Sequence, residues 1–325
     1  MSNTVRYLSS EDVAALMPPM KEVVEIVEQT LHQHGEGKTS MPPKVDVGGL
    51  DDDAFLHAMP AHVRDQAALG IKWVAGYPNN PEKGLPYIHG TMILNDPDTG
   101  RPLAFMDAAQ ITAVRTGACT AVTAKHLADP NSEVMTIIGC GVQGRVNIEA
   151  LLAVFPDTER MLAYDIDPSA QEKFADEVMT TFDLASIIPP DAEEACVGGH
   201  VIVTATPILK EPKPFIEPAF IQTGTLCVSL DFDAAFDQAC FDGSDLCITD
   251  DLAQFEHYQQ HGHFVGYKSP TDELGKIVCG AGAKRPDGTP IVMAANLGLG
   301  VLDVALAKRL LSAAEAAGRG VELPL

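Results

Sequence analysis

Two hydrophobic rhythms divide this chain. Near its start Ser9 and Asp12 stand in the spacing of a capping box, and Pro19 fits the first position of a second helix. From there Val23, Val24, Ile26, Val27 and Leu31 keep helical spacing until Gly35. Between positions 41 and 107 the period shortens. Apolar runs at 54–59, 70–76, 87–94 and 102–106, broken by Pro, Gly and Asn clusters, predict strands and turns. Asn95-Asp96-Pro97-Asp98-Thr99-Gly100 has the composition of a hairpin loop joining two antiparallel strands. A helix is expected over 108–127.

After Pro130 short apolar runs alternate with helical stretches. Strands are expected at 134–138, 161–164, 185–188, 201–205, 225–230 and 246–249. That alternation predicts a doubly wound parallel sheet of order 3-2-1-4-5-6. The stretch 294–317, rich in small and apolar residues, predicts a long terminal helix. There are no internal repeats or low-complexity tracts.

Composition narrows the class. A chain of 325 residues suits two domains, each with its own core, and 46% hydrophobic with 21% charged residues is ordinary for a soluble globular protein. The formal charge of −23 opposes nucleic-acid phosphates and anionic membranes, so neither is an expected partner. An anionic substrate must then be drawn in by a local basic cluster. Seven cysteines with no CxxC pair favour a reducing compartment over a disulfide framework. No signal-peptide core and no apolar run of membrane-spanning length is visible. A cytoplasmic location is the expectation.

The most specific motif begins only at position 139. Gly139-Cys140-Gly141-Val142-Gln143-Gly144 follows the apolar run 134–138 and precedes a helical stretch, with Asp165 at the end of the next apolar run. A bare GxGxxG is weak; strand before, helix after and an acid about 20 residues on make it a dinucleotide-binding turn. Gly139 permits the turn, Gly141 lets the backbone approach the pyrophosphate, and Gly144 allows close helix–strand packing. Asp165 would accept from the ribose hydroxyls and repel a 2′-phosphate, which favours NAD over NADP.

Isolated charges mark the other chemistry. Arg115 is the only charged residue between Asp107 and Lys125. It either forms a structural salt bridge or clamps a substrate carboxylate, because an unpaired buried charge is too costly. Lys72, in the apolar run Gly70-Ile71-Lys72-Trp73-Val74, is either solvated on one strand face or faces a pocket as an acid/base of lowered pKa. Lys44 and His57 are further candidates. Asp231 ends the run 225–230, at the strand ends where such sheets bind ligands; a helix N-cap is its structural alternative, and Asp233 competes with it. His257, His261 and His263 read as a surface loop and not as a metal site.

These residues resemble the ornithine cyclodeaminase/mu-crystallin family. The resemblance spans nearly the whole chain. It rests on Gly70-Ile71-Lys72-Trp73-Val74, Asn95-Asp96 with Thr99-Gly100, Thr112-Ala113-Val114-Arg115-Thr116-Gly117-Ala118, the glycine turn, the strand at 201–206 and the glycines of 298–300. It implies an α/β fold, with a Rossmann domain over 126–302 inserted in a second α+β domain (1–125 plus 303–325) that binds substrate and dimerises. It implies that Lys44, Lys72 and Arg115 hold an α-carboxylate, with His57 and Met59 also lining the substrate site. Thr116, Val142, Gln143, Thr204, Ala205 and Thr206 would join the glycines and Asp165 in holding NAD. Lys72 and Asp231 would be the catalytic pair.

Family members interconvert amino acids and imines, so the expected activity is an NAD(H)-dependent imine reductase or amino-acid dehydrogenase acting on a small amino acid. Two departures bear on substrate. The family usually has arginine where Lys44 stands, and the ornithine-cyclising enzymes have glutamate where His57 aligns. A histidine cannot supply the negative charge that a distal ammonium needs, so an alanine- or aspartate-like substrate is expected. An ornithine or lysine cyclodeaminase is the enzymatic alternative; a non-catalytic, mu-crystallin-like binding protein is the alternative of another class.

Overall fold

The computed structural model of the chain describes residues 4–50 and 53–325. In chain order the elements open with β1 (Thr4–Leu8), α1 (Ser10–Leu16), α2 (Met20–Gly35), β2 (Thr39–Ser40), β3 (Val45–Asp46), β4 (Phe55–Val63), β5 (Ala68–Gly76), β6 (Ile88–Asn95), β7 (Pro102–Asp107) and α3 (Ala109–Leu127). The alternating part follows: β8 (Val134–Ile138), α4 (Val142–Val154), β9 (Arg160–Tyr164), α5 (Pro168–Phe182), β10 (Ala185–Ile187), α6 (Ala192–Val197), β11 (Val201–Thr204), β12 (Leu226–Ser229), α7 (Gln238–Asp242), β13 (Leu246–Thr249), α8 (Leu252–Gln260), β14 (Asp272–Glu273), α9 (Leu274–Val278) and β15 (Val292–Ala295). The chain closes with α10 (Gly300–Ala317) and β16 (Val321–Pro324). Two compact units result, Met1–Arg115 with Leu299–Leu325, and Thr116–Gly298. The seams fall at 115/116 and 298/299, where the sequence suggests 125/126 and 302/303.

Period-two alternation builds the sheet of the first unit. Its strands run β16-β1-β7-β6-β5-β4-β2, with β3 also paired to β4. Among the described residues only the β1–β7 pairing is parallel. In β5 the residues Ala68, Gly70, Lys72, Val74 and Gly76 are buried while those between are not, so one face is committed to a core. That core is supplied by α10, which packs on β4, β5 and β6 and against α2. A helix apolar on nearly every side, from Val301 to Leu311, belongs in an interior. Among the described residues no comparable helix covers the opposite sheet face. Register aligns Pro60, Ile71, Ile93, Phe105 and Tyr7 across β4, β5, β6, β7 and β1, and Trp73 beside them is 44% exposed.

The capping box forms as expected, with Ser9 accepting from the Asp12 amide and Asp12 accepting from the Ser9 amide. Pro19, however, is the N-cap of α2 and not its first residue.

The second unit is a parallel sheet of order β10-β9-β8-β11-β12-β15-β13-β14, the strand sequence of a Rossmann-type fold. Two strands separate it from the expected 3-2-1-4-5-6: β14 adds an edge beyond β13, and β15 is internal. β15 inserts between β12 and β13 and pairs in parallel with both. Its residues Val292 to Ala295 overlap the start expected for the terminal helix, which begins instead at Gly300. A short apolar run buried on both faces has no alternation to distinguish it from a helix segment, and only its neighbours decide.

Candidate active site

Strand alternation carries Lys72 inward. It sits on the buried face of β5, opposite Met59 of β4 and Met92 of β6, and is 0% exposed. An ammonium cannot be buried alone. Its Nζ lies 2.8 Å from Oδ2 of Asp303, a carboxylate on α10 that is itself 0% exposed. The other oxygen of that carboxylate accepts from Arg115 Nε at 3.0 Å. Arg115 therefore does form a buried ion pair, but through its inner nitrogen. Among the described residues Asp303 Oδ1 is the only hydrogen-bond acceptor found on Arg115, so its two terminal nitrogens keep a planar fork suited to a carboxylate.

The Lys72 contact is charge against charge and poorly aligned. Neither Lys72 Nζ nor Asp303 Oδ2 has a well-directed hydrogen-bond partner among the described residues. Burial lowers the Lys72 pKa to about 7; Asp303 opposes the shift, while Arg115 and Lys44 add to it. An amine balanced near neutrality can both give and take a proton.

Lys44, directly before β3, and Met59 are buried in the same unit. His57, also buried, places Nε2 2.6 Å from Asp46 Oδ1 on the adjoining β3. Burial holds the His57 pKa below its ordinary value; Asp46 counters this, and Lys44 and Lys72 reinforce it. A neutral imidazole beside a carboxylate must donate from the facing nitrogen, so Nε2–H is committed to Asp46.

In the second unit the glycine turn follows β8 and opens α4 as expected. Gly139 has φ +102°, and a Cβ there would meet the Ala205 carbonyl oxygen at 2.6 Å. A Cβ on Gly144 would meet the Gly139 oxygen at 2.5 Å, whereas one on Gly141 would point into open space. The first and third glycines serve packing and the second leaves room for a ligand, which is the division of labour a dinucleotide turn needs. Val142, at the first position of α4, is 65% exposed, and no side chain caps that helix end. Asp165, after β9, accepts from the Cys140 amide at 2.7 Å and the Asp167 amide at 3.0 Å. Arg145 donates to the Cys140 carbonyl at 2.7 Å. The turn is braced from both sides, and Asp165 keeps acceptor capacity for a ribose. These residues fit a bound NAD.

At the ends of β11 and β12 the structure gathers Thr204, Thr206 and Asp231, with Ala205 and the half-buried Gln143 and Thr116 in the same unit. Asp231, 1% exposed, accepts from Thr204 Oγ1 (2.6 Å), Thr206 Oγ1 (2.6 Å), the Thr206 amide (3.0 Å) and Ser229 Oγ (3.1 Å). Burial raises its pKa against these donors. It caps no helix: α7, the next, is capped by Asp237. Asp233 is taken by His263 Nδ1 at 2.9 Å and the Phe264 amide at 2.7 Å. The histidine loop also needs correcting, since His257 lies within α8 and His261 caps its end. No metal-binding group of side chains is found among the described residues.

The residue that sequence reasoning missed is Asp303. Its signal was the one that exposed Arg115: it is the only charged residue between Asp287 and Lys308.

A turn shaped for a dinucleotide, in one chain with a buried amine and a free guanidinium fork, speaks for hydride chemistry on a substrate bearing a carboxylate. The class so defined is the NAD-dependent oxidoreductases acting on CH–NH2 and C=N groups. Within it the chain belongs to the ornithine cyclodeaminase/mu-crystallin family, whose sequence model matches residues 5–317. Alanine dehydrogenase of Archaeoglobus fulgidus is 36% identical over 93% of this chain and 92% of its own. The structure of Thermococcus litoralis Delta(1)-pyrroline-2-carboxylate reductase with NADH and L-proline has TM-score 0.89 and 31% identity, covering 98% of this chain and 100% of that one. An archaeal alanine dehydrogenase dimer with bound NAD has TM-score 0.88 and 32% identity, covering 98% and 99%.

Proposed function

We propose that the protein is an NAD(H)-dependent imine reductase or amino-acid dehydrogenase that interconverts a small L-amino acid and its imino or 2-oxo acid. The observation that carries this reading is the sharing of Asp303 by Lys72 and Arg115, which leaves the guanidinium fork and the ammonium hydrogens for a ligand. Arg115 and Lys44 bind the α-carboxylate. Lys72 donates a proton to the imine nitrogen or to the 2-oxo oxygen in reduction, and takes it back in oxidation. Asp231, whose carboxyl burial pushes above its ordinary pKa, orders Thr204 and Thr206 and is the second acid/base group of the reading. The NAD(H) held by the glycine turn and Asp165 supplies or accepts the hydride.

The local charges favour a monocarboxylic substrate. His57, the one group that could answer a second substrate carboxylate, is held below its ordinary pKa by burial and is already engaged with Asp46. An alanine-like substrate is thereby preferred over an aspartate-like one. The neutral His57 also argues against a distal ammonium, and hence against ornithine or lysine cyclisation.

We further propose a homodimer joined through the uncovered sheet face that carries Trp73, supported by the dimer named for the archaeal alanine dehydrogenase. Seven free cysteines, most of them buried, support function in a reducing cytoplasm; no helix among the described residues is long and apolar enough to cross a membrane.

A panel of 2-oxo acids and cyclic imines, scored for NADH oxidation with ammonium and without, tests the reading. Oxidation with pyruvate that depends on ammonium, or with a small cyclic imino acid alone, is the expected result. Ammonia release from ornithine with no net change in NADH would instead establish the cyclodeaminase.

A further inference from the structure

We propose that Asp303 is a positioning residue: its one carboxylate fixes the spacing between Lys72 and Arg115 and keeps Lys72 an ammonium when the substrate binds. The proposal rests on the roles given above to Lys72 and Arg115. Three elements meet at this carboxylate: Lys72 comes from β5, Arg115 from α3 and Asp303 from α10. Oδ2 lies 2.8 Å from the amine and Oδ1 3.0 Å from the guanidinium. Neither cation is therefore placed independently of the other.

The setting makes a merely stabilising role a poor explanation. Asp303 is the only charge between Asp287 and Lys308, in a helix otherwise buried along its apolar length. Placing a carboxylate there carries a desolvation penalty that ion pairing at best offsets. Well-packed apolar residues in place of such a triad are often neutral or stabilising. The hydrogen bonding, too, is incomplete for a brace. Arg115 binds through Nε alone, and the Lys72 contact is poorly directed. What the arrangement achieves is a fixed pair of cations with their outer hydrogens unspent.

The effect on Lys72 follows from its surroundings. Among the described residues the charged and titratable groups that act on it are Asp303 from α10, Arg115 from α3, Lys44 beside β3 and His57 from β4; Met92 on β6 adds no charge. Of the carboxylates of the described residues, Asp303 is the one that acts on it strongly. Without that charge, burial and two neighbouring cations all disfavour the ammonium.

The test uses the full-length protein labelled with 13C-lysine and saturated with NADH, with the Lys72 signal identified by its loss in Lys72→Met. In Asp303→Asn the Lys72 titration should move to lower pH by about one unit or more. The alkaline limb of kcat/KM for the imino acid should move with it, and KM should rise. Asp303→Glu keeps the charge but displaces it by a methylene. It should titrate close to wild type yet show a KM raised by about tenfold, because Arg115 is shifted. This second variant carries the test if the first does not fold. An unshifted Lys72 titration in Asp303→Asn, or an unchanged KM in Asp303→Glu, overturns the proposal. A titration that moves while the rate profile stays fixed leaves Asp303's hold on Lys72 intact and overturns the assignment of Lys72 as proton donor, which separates the two claims.

Discussion

Lys72 and Arg115 were legible as sequence oddities because each is a lone charge in an apolar stretch. What no single stretch reveals is that the two oddities answer each other through a third, Asp303, nearly two hundred positions after Arg115. The same test applied to the terminal helix would have found it; small apolar neighbours masked it as part of a featureless helix. His57 shows a different limit. Its residue type excludes a fixed negative charge, but only the structure shows Nε2 committed to Asp46, the contact on which the proposed preference for a monocarboxylic substrate rests. At this scale the depressed pKa of Lys72 makes a signed prediction. Reduction needs the ammonium, so its kcat/KM should be level below about pH 7 and fall above it, while oxidation, needing the free amine, should rise through the same range. Steady-state rates in both directions across pH check this. Lys72→Met should remove both limbs and lower kcat by about 10²- to 10⁴-fold.

Elements were predicted with varying success, for identifiable reasons. β8, α4 and β9 stood out because a glycine turn punctuates them, and β4 to β7 because alternation and turn residues agree. β15 did not, since its residues are apolar on both faces and flow into a helix of the same composition. Its insertion between β12 and β13 is a pairing choice that no local pattern encodes. The glycine turn itself yields a contrast between two substitutions. Gly144→Ala drives a methyl into the Gly139 carbonyl and should lower the melting temperature. Gly141→Ala meets only open space in the protein and should melt normally, yet weaken NADH binding by about tenfold or more. Thermal unfolding together with NADH fluorescence titration distinguishes the two outcomes; equal effects on both readouts would mean that Gly141 leaves no space for the cofactor.

For the whole molecule, the glycine turn stands late in the chain, and the unit that precedes it also takes in α10. That was visible only through family resemblance, because nothing in α10 points to β4 and β5 as its partners. The uncovered sheet face was not recognised as one surface either, since its residues are spread over five strands and align only in register. If the homodimer forms there, Trp73→Glu should convert it to monomer in sedimentation velocity without unfolding the chain; a dimer that survives would move the interface elsewhere. The central claim is hydride transfer to the α-carbon of a small imino acid. Its most direct measurement supplies NADH deuterated at the nicotinamide C4 and locates the label in the product by mass spectrometry and NMR. The account predicts deuterium on the α-carbon of the amino acid formed, with one NADH consumed per product. Product formed with no label and no net loss of NADH would contradict it.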